Sequence, residues 1–392
     1  MTAVLSDIRV LDLSIDVAGP FCARLLGDFG ADVIKVEPLD GDPGRNLEPV
    51  VEGVSGFFSY LNSDKRSIAV NLDSTQGQAL MRGLARQADI VVESFTPGYL
   101  DERRAGYDLL EAARPGIILT SITPFGQTGP WRHRPGNDLT AYALSGWADM
   151  NGQAGKPPLK GSGSQASFVG GIAGFLGTVS ALFYRDQHDV GQHVDVSILE
   201  ALTEIYGPRF LGAQHADANA EARATRDRQD FISGPVPCKD GYFALTLSRA
   251  HFWRDAMNEL GLPELARDDI FWNRVSMRDE LAGKVQGAIA QRDKYELFER
   301  ISMLRAVSGM VLSTEELYAN PHIQERGFFV EVEQPVLGRV AMPGAPFKMS
   351  ATPFEYQRPA PRFAQHTDEV LRELLGLGPD SIAELRAAGD VG

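Results

Sequence analysis

The stretch Arg9 to Glu37, RVLDLSIDVAGPFCARLLGDFGADVIKVE, limits the possible folds more than any other part of the chain, because it reads as a complete strand, loop, helix and strand. Val10, Leu11 and Leu13 make a short apolar strand and Gly19-Pro20 mark a turn. Phe21 to Phe29 repeats apolar residues at helical spacing, and Gly30 stands where a helix stops. A second strand, Asp32 to Glu37, follows directly. Two strands joined by such a crossover run parallel, and open parallel sheets bind ligands beyond the carboxyl ends of their strands, so the loop Ser14 to Pro20 is the first place to expect a site. The loop is not GxGxxG, so a nicotinamide or flavin dinucleotide is not indicated, and a plain strand-to-helix connection stays open as the alternative.

The same period repeats downstream. Ser67 to Leu72 reads as a strand, Ser74 to Gln87 as a helix with Ser74 as its N-cap, Asp89 to Ser94 as a strand, Asp108 to Ala113 as a helix and Ile117 to Ile122 as a strand. This alternation predicts a doubly wound parallel sheet, an α/β fold. The strands end in loops of small or polar residues, DGDPGR (40–45), SFTPG (94–98) and TPFGQTGP (123–130), which would gather on one edge. Asp138 to Asn151 is expected to be helical, and a glycine, proline and serine loop spans 155–165. A helix then runs from Ser167 to Arg185, and its recurring Gly170, Gly171, Gly174 and Gly177 would let another backbone approach, which suggests a buried helix.

The charged stretch Asp217 to Arg228 reads as a connection or an exposed helix. A smaller domain then begins, with a strand at Gly241 to Leu247 and helices at Phe252 to Leu260, Asp279 to Gln291 and Tyr295 to Met303. Strand-like residues return at Gly338 to Ser350, and Asp368 to Leu375 forms a closing helix. The expected organisation is a large domain from 1–215 completed by 333–392, with a small domain at 229–328 between them.

A formal net charge of -14 argues against a nucleic-acid or anionic-membrane partner. Cys22 and Cys238 and the seven scattered histidines show no metal-ligand spacing, so no metal is expected. The start MTAVLSDIRV has no basic, then apolar, leader pattern, and the apolar run Phe168 to Tyr184 falls short of the roughly 20 residues of a membrane span, so a cytoplasmic location is expected.

Many phrases, in order, resemble the family III coenzyme A transferases of CaiB/BaiF type, the group that contains formyl-CoA transferase, carnitine CoA-transferase and 2-methylacyl-CoA racemase. They are the opening stretch, DGDPGR, NSDKRSIAVNL, ADIVVESFTPG, SITPFGQTGP, GNDLTAYALSG, GQHVDVSILEAL, KDGYFAL, NPHIQERGFF, GAPFKMSATP and QHTDEVLRELL. The resemblance implies a Rossmann-like large domain with an open parallel sheet, a smaller α+β domain, and two subunits interlocked as a dimer. It also implies coenzyme A or acyl-CoA as a substrate, not a covalently held cofactor, and a carboxylic acid as the other reactant. By the resemblance Val17 and Ala18 would meet the pantetheine, Lys65 and Arg66 the nucleotide phosphates, and Ser94, Phe95 and Gly98 would border the coenzyme. Residue by residue, a solvated pair for Lys65 and Arg66, and plain loop anchoring for Phe95, remain the structural alternatives.

The resemblance breaks at the residue that would carry the chemistry. Family transferases use an aspartate at the start of the 167–185 helix as nucleophile, forming a mixed anhydride and then an aspartyl-CoA thioester. Here that position is Ser167. A seryl oxygen ester is more stable than a thioester and would return the acyl group to CoA poorly, so an N-cap role for Ser167 competes with any catalytic one. The racemase branch would need a His and an Asp where this chain has Asn137 and Ser167. Asp138 matches an acidic position of the family site, with an N-cap role as its alternative, while Asp195 and Glu200 read as structural. Two further departures are Ser94, where many members have Asn, and Arg103-Arg104-Ala105, which replaces a more apolar run and either adds positive charge near the CoA phosphates or faces water. The expected function is therefore an acyl-CoA:carboxylate CoA-transferase family protein that binds CoA, as the subunit without the nucleophilic aspartate. It would act as a homodimer or beside a related aspartate-containing subunit. The alternatives are a CoA-binding scaffold or sensor without turnover and a racemase or isomerase relative with altered chemistry. Phe231, Phe252, Trp253, Phe271 and Trp272 read either as small-domain core or as an apolar pocket wall.

Overall fold

The computed structural model describes residues 3–151, 156–205, 207, 214 and 234–392. The charged stretch 217–228 and Phe231 lie outside them. The chain divides into two compact units, Met1–Gly207 with Gly327–Gly392, and Pro208–Arg326.

In the larger unit six strands form one parallel sheet: β1 (Arg9–Asp12), β2 (Asp32–Glu37), β3 (Lys65–Ala69), β4 (Ile90–Glu93), β5 (Ile118–Thr123) and β6 (His193–Ser197). Their order is β3-β2-β1-β4-β5-β6, with Leu11 opposite Ile34 on one side and Val91 on the other. This is the doubly wound order, in which the direction of winding reverses between β1 and β4. The pleat sends alternate residues to opposite faces, so Val10 and Val92 join one core while Leu11, Leu13 and Val91 join another. The helices α1 (Ala18–Asp28) and α2 (Thr75–Ala85) follow β1 and β3, and Ser74 caps α2 by accepting from Gly77 N. Next come α3 (Tyr107–Ala113), α4 (Asp138–Leu144) and α5 (Gln165–His188). The expected helix 138–151 is broken at Gly146, whose φ of 88° no helix interior accepts; a second short helix, Trp147–Met150, follows it.

The chain returns at its end to close the sheet edge. Thr367 Oγ1 and His366 Nδ1 accept from the Ala69 and Ser67 amides of β3, and α6 (Thr367–Leu375) and α7 (Pro379–Ala388) pack their apolar sides into the second core. The edge strand β6 and helix α7 were not anticipated from sequence.

Helix α5 begins two residues before Ser167, with Ser164 as its N-cap, so the expected N-cap role of Ser167 does not hold. Its glycines do allow close approach: a Cβ on Gly171 would sit 2.6 Å from the Ala18 carbonyl oxygen and one on Gly170 2.8 Å from Ile198. The expectation of a buried helix holds for the glycine face alone, because the opposite face leaves Ile172, Leu176 and Phe183 at 52, 65 and 69% exposure. At 24 residues α5 is also long and apolar enough to cross a membrane, unlike the shorter run read from sequence, but its glycine side is packed on α1 and β5.

The smaller unit has a three-stranded antiparallel sheet (Pro235–Cys238, Gly241–Thr246 and Val307–Met310) beside helices Ala250–Glu259, Asp268–Asn273, Arg278–Ala290 and Lys294–Met303. Trp253 and Phe271 are in its core, where the Trp253 indole donates to the Leu265 carbonyl at 2.6 Å, whereas Trp272 is 73% exposed.

The contact between α5 and α1 yields a prediction. Gly171→Ala should destabilise the protein by about 1–3 kcal/mol through overpacking against a backbone that cannot retreat. Gly283→Ala, on an open helix position with nothing within 4 Å of the added carbon, should be neutral or stabilising. Denaturation of both variants checks this.

Candidate active site

The strand order turns back between β1 and β4, and there the loops Leu13 to Val17 and Ser94 to Gly98 meet. Ser94 Oγ accepts from Ile15 N at 2.9 Å and donates to Ile15 O at 3.1 Å, joining the two loops into one ridge. On one side of this ridge lies a cavity of about 290 Å³, whose wall includes Ile15, Val17, Ala18, Ser94, Asp138 and Ser167. On the other side a hollow of about 250 Å³ is lined by Leu13, Pro38, Leu39, Leu72, Phe95 and Tyr99. Val17 and Ala18 also begin α1, whose N-terminus has no side-chain cap, so its first amides keep free donor capacity at the cavity wall.

The ridge stands on buried charges. Asp12, fully buried at the end of β1, accepts from Ser14 N at 3.0 Å, from the Ser14 hydroxyl and from Lys65 Nζ at 2.7 Å. Lys65 also donates to Pro20 O and Asn62 Oδ1, both at 2.9 Å. Lys35 donates to Ser14 O at 2.8 Å and pairs with Asp42 at 2.6 Å. Burial alone would raise the Asp12 carboxyl, but Lys35, Lys65 and the hydrogen bonds hold it below the usual range. Two ammonium groups thus tie strand ends to the loop that carries Val17.

This arrangement bears on the expectations for Lys65 and Arg66. All three Lys65 donors are engaged inside the protein, and Arg66 is bound by Asp32, Glu369 and Glu373 at 2.6–3.1 Å. Neither residue lines either cavity, and both are buried and held by internal partners, so the solvated pair weighed as the alternative does not hold. In the 94–104 segment Phe95 stacks on Tyr99 with ring centroids 4.2 Å apart. Arg103 lies over Tyr99 at 3.6 Å and pairs with the exposed Asp73 at 2.7 Å, which places a cation beside the second hollow. Gly98, at φ 91°, turns the chain into a short helix, and Arg104 is exposed and lines neither cavity.

Asp138 and Ser167 line one cavity. Asn137 caps α4 through Thr140, so the N-cap role weighed for Asp138 belongs to its neighbour. Asp138 instead reaches the first turn of α5: its Oδ1 accepts from Ser167 N at 2.9 Å and its Oδ2 pairs with Lys160 Nζ at 2.8 Å. Sequence reading did not single out Lys160, nor Asp16, Glu48 and Phe57 in the cavity wall; the first three stand on loops without a periodic signal and Phe57 on the short helix Gly56–Leu61. Asp16 sits at φ 65° and its carboxyl is raised by burial and by Asp42. Cys22, behind the wall on α1, is no nucleophile, since burial pushes its thiol up to about 12.

Behind the ridge, buried Glu93 accepts from Phe95 N at 2.7 Å, and Ser121 Oγ lies 2.8 Å from His193 Nε2. Burial, opposed by the Ser121 and Phe95 donors and reinforced by Asp195 and Asp101, pushes the Glu93 carboxyl up to about 7.

Two measurements follow from this geometry. Glu93 gains its proton more readily folded than unfolded, so its contribution to stability is complete below pH 4.5 and is lost as pH rises toward about 7. The melting temperature of Glu93→Gln should therefore rise relative to the unmodified protein across that window, and a difference that stays flat with pH would contradict it. Lys65→Met should lose roughly 3–5 kcal/mol of stability by leaving Asp12 short of a partner; a role in phosphate binding would instead weaken CoA affinity with stability intact.

The profile of CoA-transferase family III matches residues 5–367. The chain is 30% identical over 401 residues to the succinyl-CoA--L-malate CoA-transferase beta subunit of Chloroflexus aurantiacus, covering 98% of each. It is 32% identical to succinyl-CoA--D-citramalate CoA-transferase of the same organism, covering 98% of this chain and 97% of that one. It is 30% identical to the succinyl-CoA--L-malate CoA-transferase alpha subunit of Chloroflexus aurantiacus, covering 98% and 91%. Among solved structures, a CAIB/BAIF family protein from Brucella suis superposes with a TM-score of 0.84 at 27% identity, covering 95% of this chain and all of that one. With the switch-point cavity, the fold and these likenesses in agreement, the chain belongs to CoA-transferase family III and is a CoA-transferase.

Proposed function

We propose that this chain binds an acyl-CoA across the Ile15–Ser94 ridge and serves a CoA transfer from acyl-CoA to carboxylate as the subunit without the nucleophile. One observation carries the reading: the residue that the first turn of α5 presents at the cavity is Ser167, a hydroxyl where the family chemistry needs a carboxylate. The nucleoside end of the coenzyme fits the hollow beside Phe95 and Tyr99, where Arg103 exchanges its exposed Asp73 partner for a phosphate. The pantetheine crosses at Val17 and Ala18 and delivers the thioester to Ser167.

The reading calls for a second subunit that brings the aspartate; a copy of this chain would pair with it but carries the same Ser167, so the transfer itself needs a related aspartate-containing chain. The apolar outer face of α5, with Ile172, Leu176 and Phe183 exposed, supports such a partner, as does the existence of alpha and beta subunits among the relatives. A cytoplasmic location goes with this reading.

A second reading rests on Asp138, which lines the same cavity and could attack the thioester itself. Its two oxygens are held by Ser167 N and Lys160, which favours a helix-capping role over attack. The experiment is CoA transfer between labelled acids by the purified chain. The unmodified chain alone should transfer nothing measurable and Ser167→Asp should gain transfer. Full transfer by the unmodified chain, abolished by Asp138→Asn, would give the chemistry to Asp138. Coenzyme binding with no transfer by Ser167→Asp or beside any related subunit would mark a scaffold.

A further inference from the structure

The charge of the cavity wall bears on which acid the site accepts. Three carboxylates line it, Asp16, Glu48 and Asp138, and no Lys, Arg or His does among the described residues. The nearest ammonium, Lys160, is held by Asp138 at 2.8 Å and by the carbonyls of Gly161 and Gly163. Lys35, whose field reaches Asp16, is paired with Asp42 and lies 3.9 Å from Asp12, so its charge is balanced within the network under the ridge. The rest of the wall is largely apolar, with Ile15, Leu47, Phe57, Ile122 and Ile198.

We infer that this pocket takes the acyl group of a monocarboxylic acid and excludes one with a second, distal carboxylate. Succinyl, malyl and citramalyl groups, named for the relatives, each carry such a carboxylate, and a buried anion must meet a cation or enough donors to replace its water. Here it would meet Asp16 and Glu48, which both line the cavity, with no Lys, Arg or His on the wall among the described residues. An uncharged hydrocarbon acyl chain meets Ile15, Phe57 and Ile198 and loses only water. The inference rests on the coenzyme-binding reading above and adds its substrate class.

The test compares binding of free CoA, butyryl-CoA and succinyl-CoA to the full-length chain by calorimetry, since the last two share a four-carbon chain and differ in a terminal methyl or carboxylate. Butyryl-CoA should bind at least about tenfold tighter than succinyl-CoA, the effect of one like charge within roughly 12 Å near a protein surface. Asp16→Asn with Glu48→Gln should narrow the gap at least about threefold through succinyl-CoA. Equal or tighter binding of succinyl-CoA, or a gap unmoved in the double variant, overturns the inference while leaving the coenzyme reading standing. Failure of all three ligands to bind removes both together.

Discussion

The pairing of Asp12 with Lys65 and Lys35 beneath the β1 loop is the constraint on which the site depends. A fully buried carboxylate at a strand end is tolerated only because two ammonium groups and the Ser14 donors meet it. Those same ammonium groups bind the carbonyls of Ser14 and Pro20, so one network fixes both the entry and the exit of the loop that carries Ile15, Val17 and Ala18. The loop can then leave an uncapped helix start and a left-handed Asp16 facing a cavity, arrangements a free loop would relax.

The second half of the site is held from the other strand. Glu93 fixes Phe95 through its amide, and Ser94 bonds both the amide and the carbonyl of Ile15, so the two loops are tied together. The floor comes from α5, brought close by glycines where any side chain would strike the Ala18 backbone or Ile198. Asp138, from a third element, completes this by capping the turn that holds Ser167. Groups on the cavity wall are thus held by one another, as Ser94 with Ile15 and Asp138 with Ser167, or by contacts behind the wall, which is how a shallow loop cluster becomes an ordered site.

Much of the fold was legible because its signals are local. The apolar alternation of β1, β2, β4 and β5 and the helical spacing after Phe21 stand in the chain as written, and the Ser14 loop followed from parallel topology alone. Other features depend on tertiary partners. Lys65 and Arg66 look like a solvated or phosphate-binding pair in NSDKR, yet acids 34 to 307 residues away claim Arg66, and Asp12 lies 53 residues from Lys65. Strand β6, His193–Ser197, alternates at an edge beside charged residues, and α7 opens with Gly378-Pro379, which punctuates as readily as it starts a helix. In the site, Ser167 and Asp138 were named from the family phrases, and both line the switch-point cavity. Lys160, in a glycine-rich loop, was not, because only the folded chain brings it to Asp138.

On the proposed reading, the switch-point cavity is the coenzyme's and the Ser167 hydroxyl on its wall stands at the reacting corner. Intact-mass and peptide mass spectrometry of the isolated chain after incubation with an acyl-CoA tests this most directly. The account predicts non-covalent binding with no CoA joined to any carboxylate. A CoA thioester found on Asp138 would contradict it.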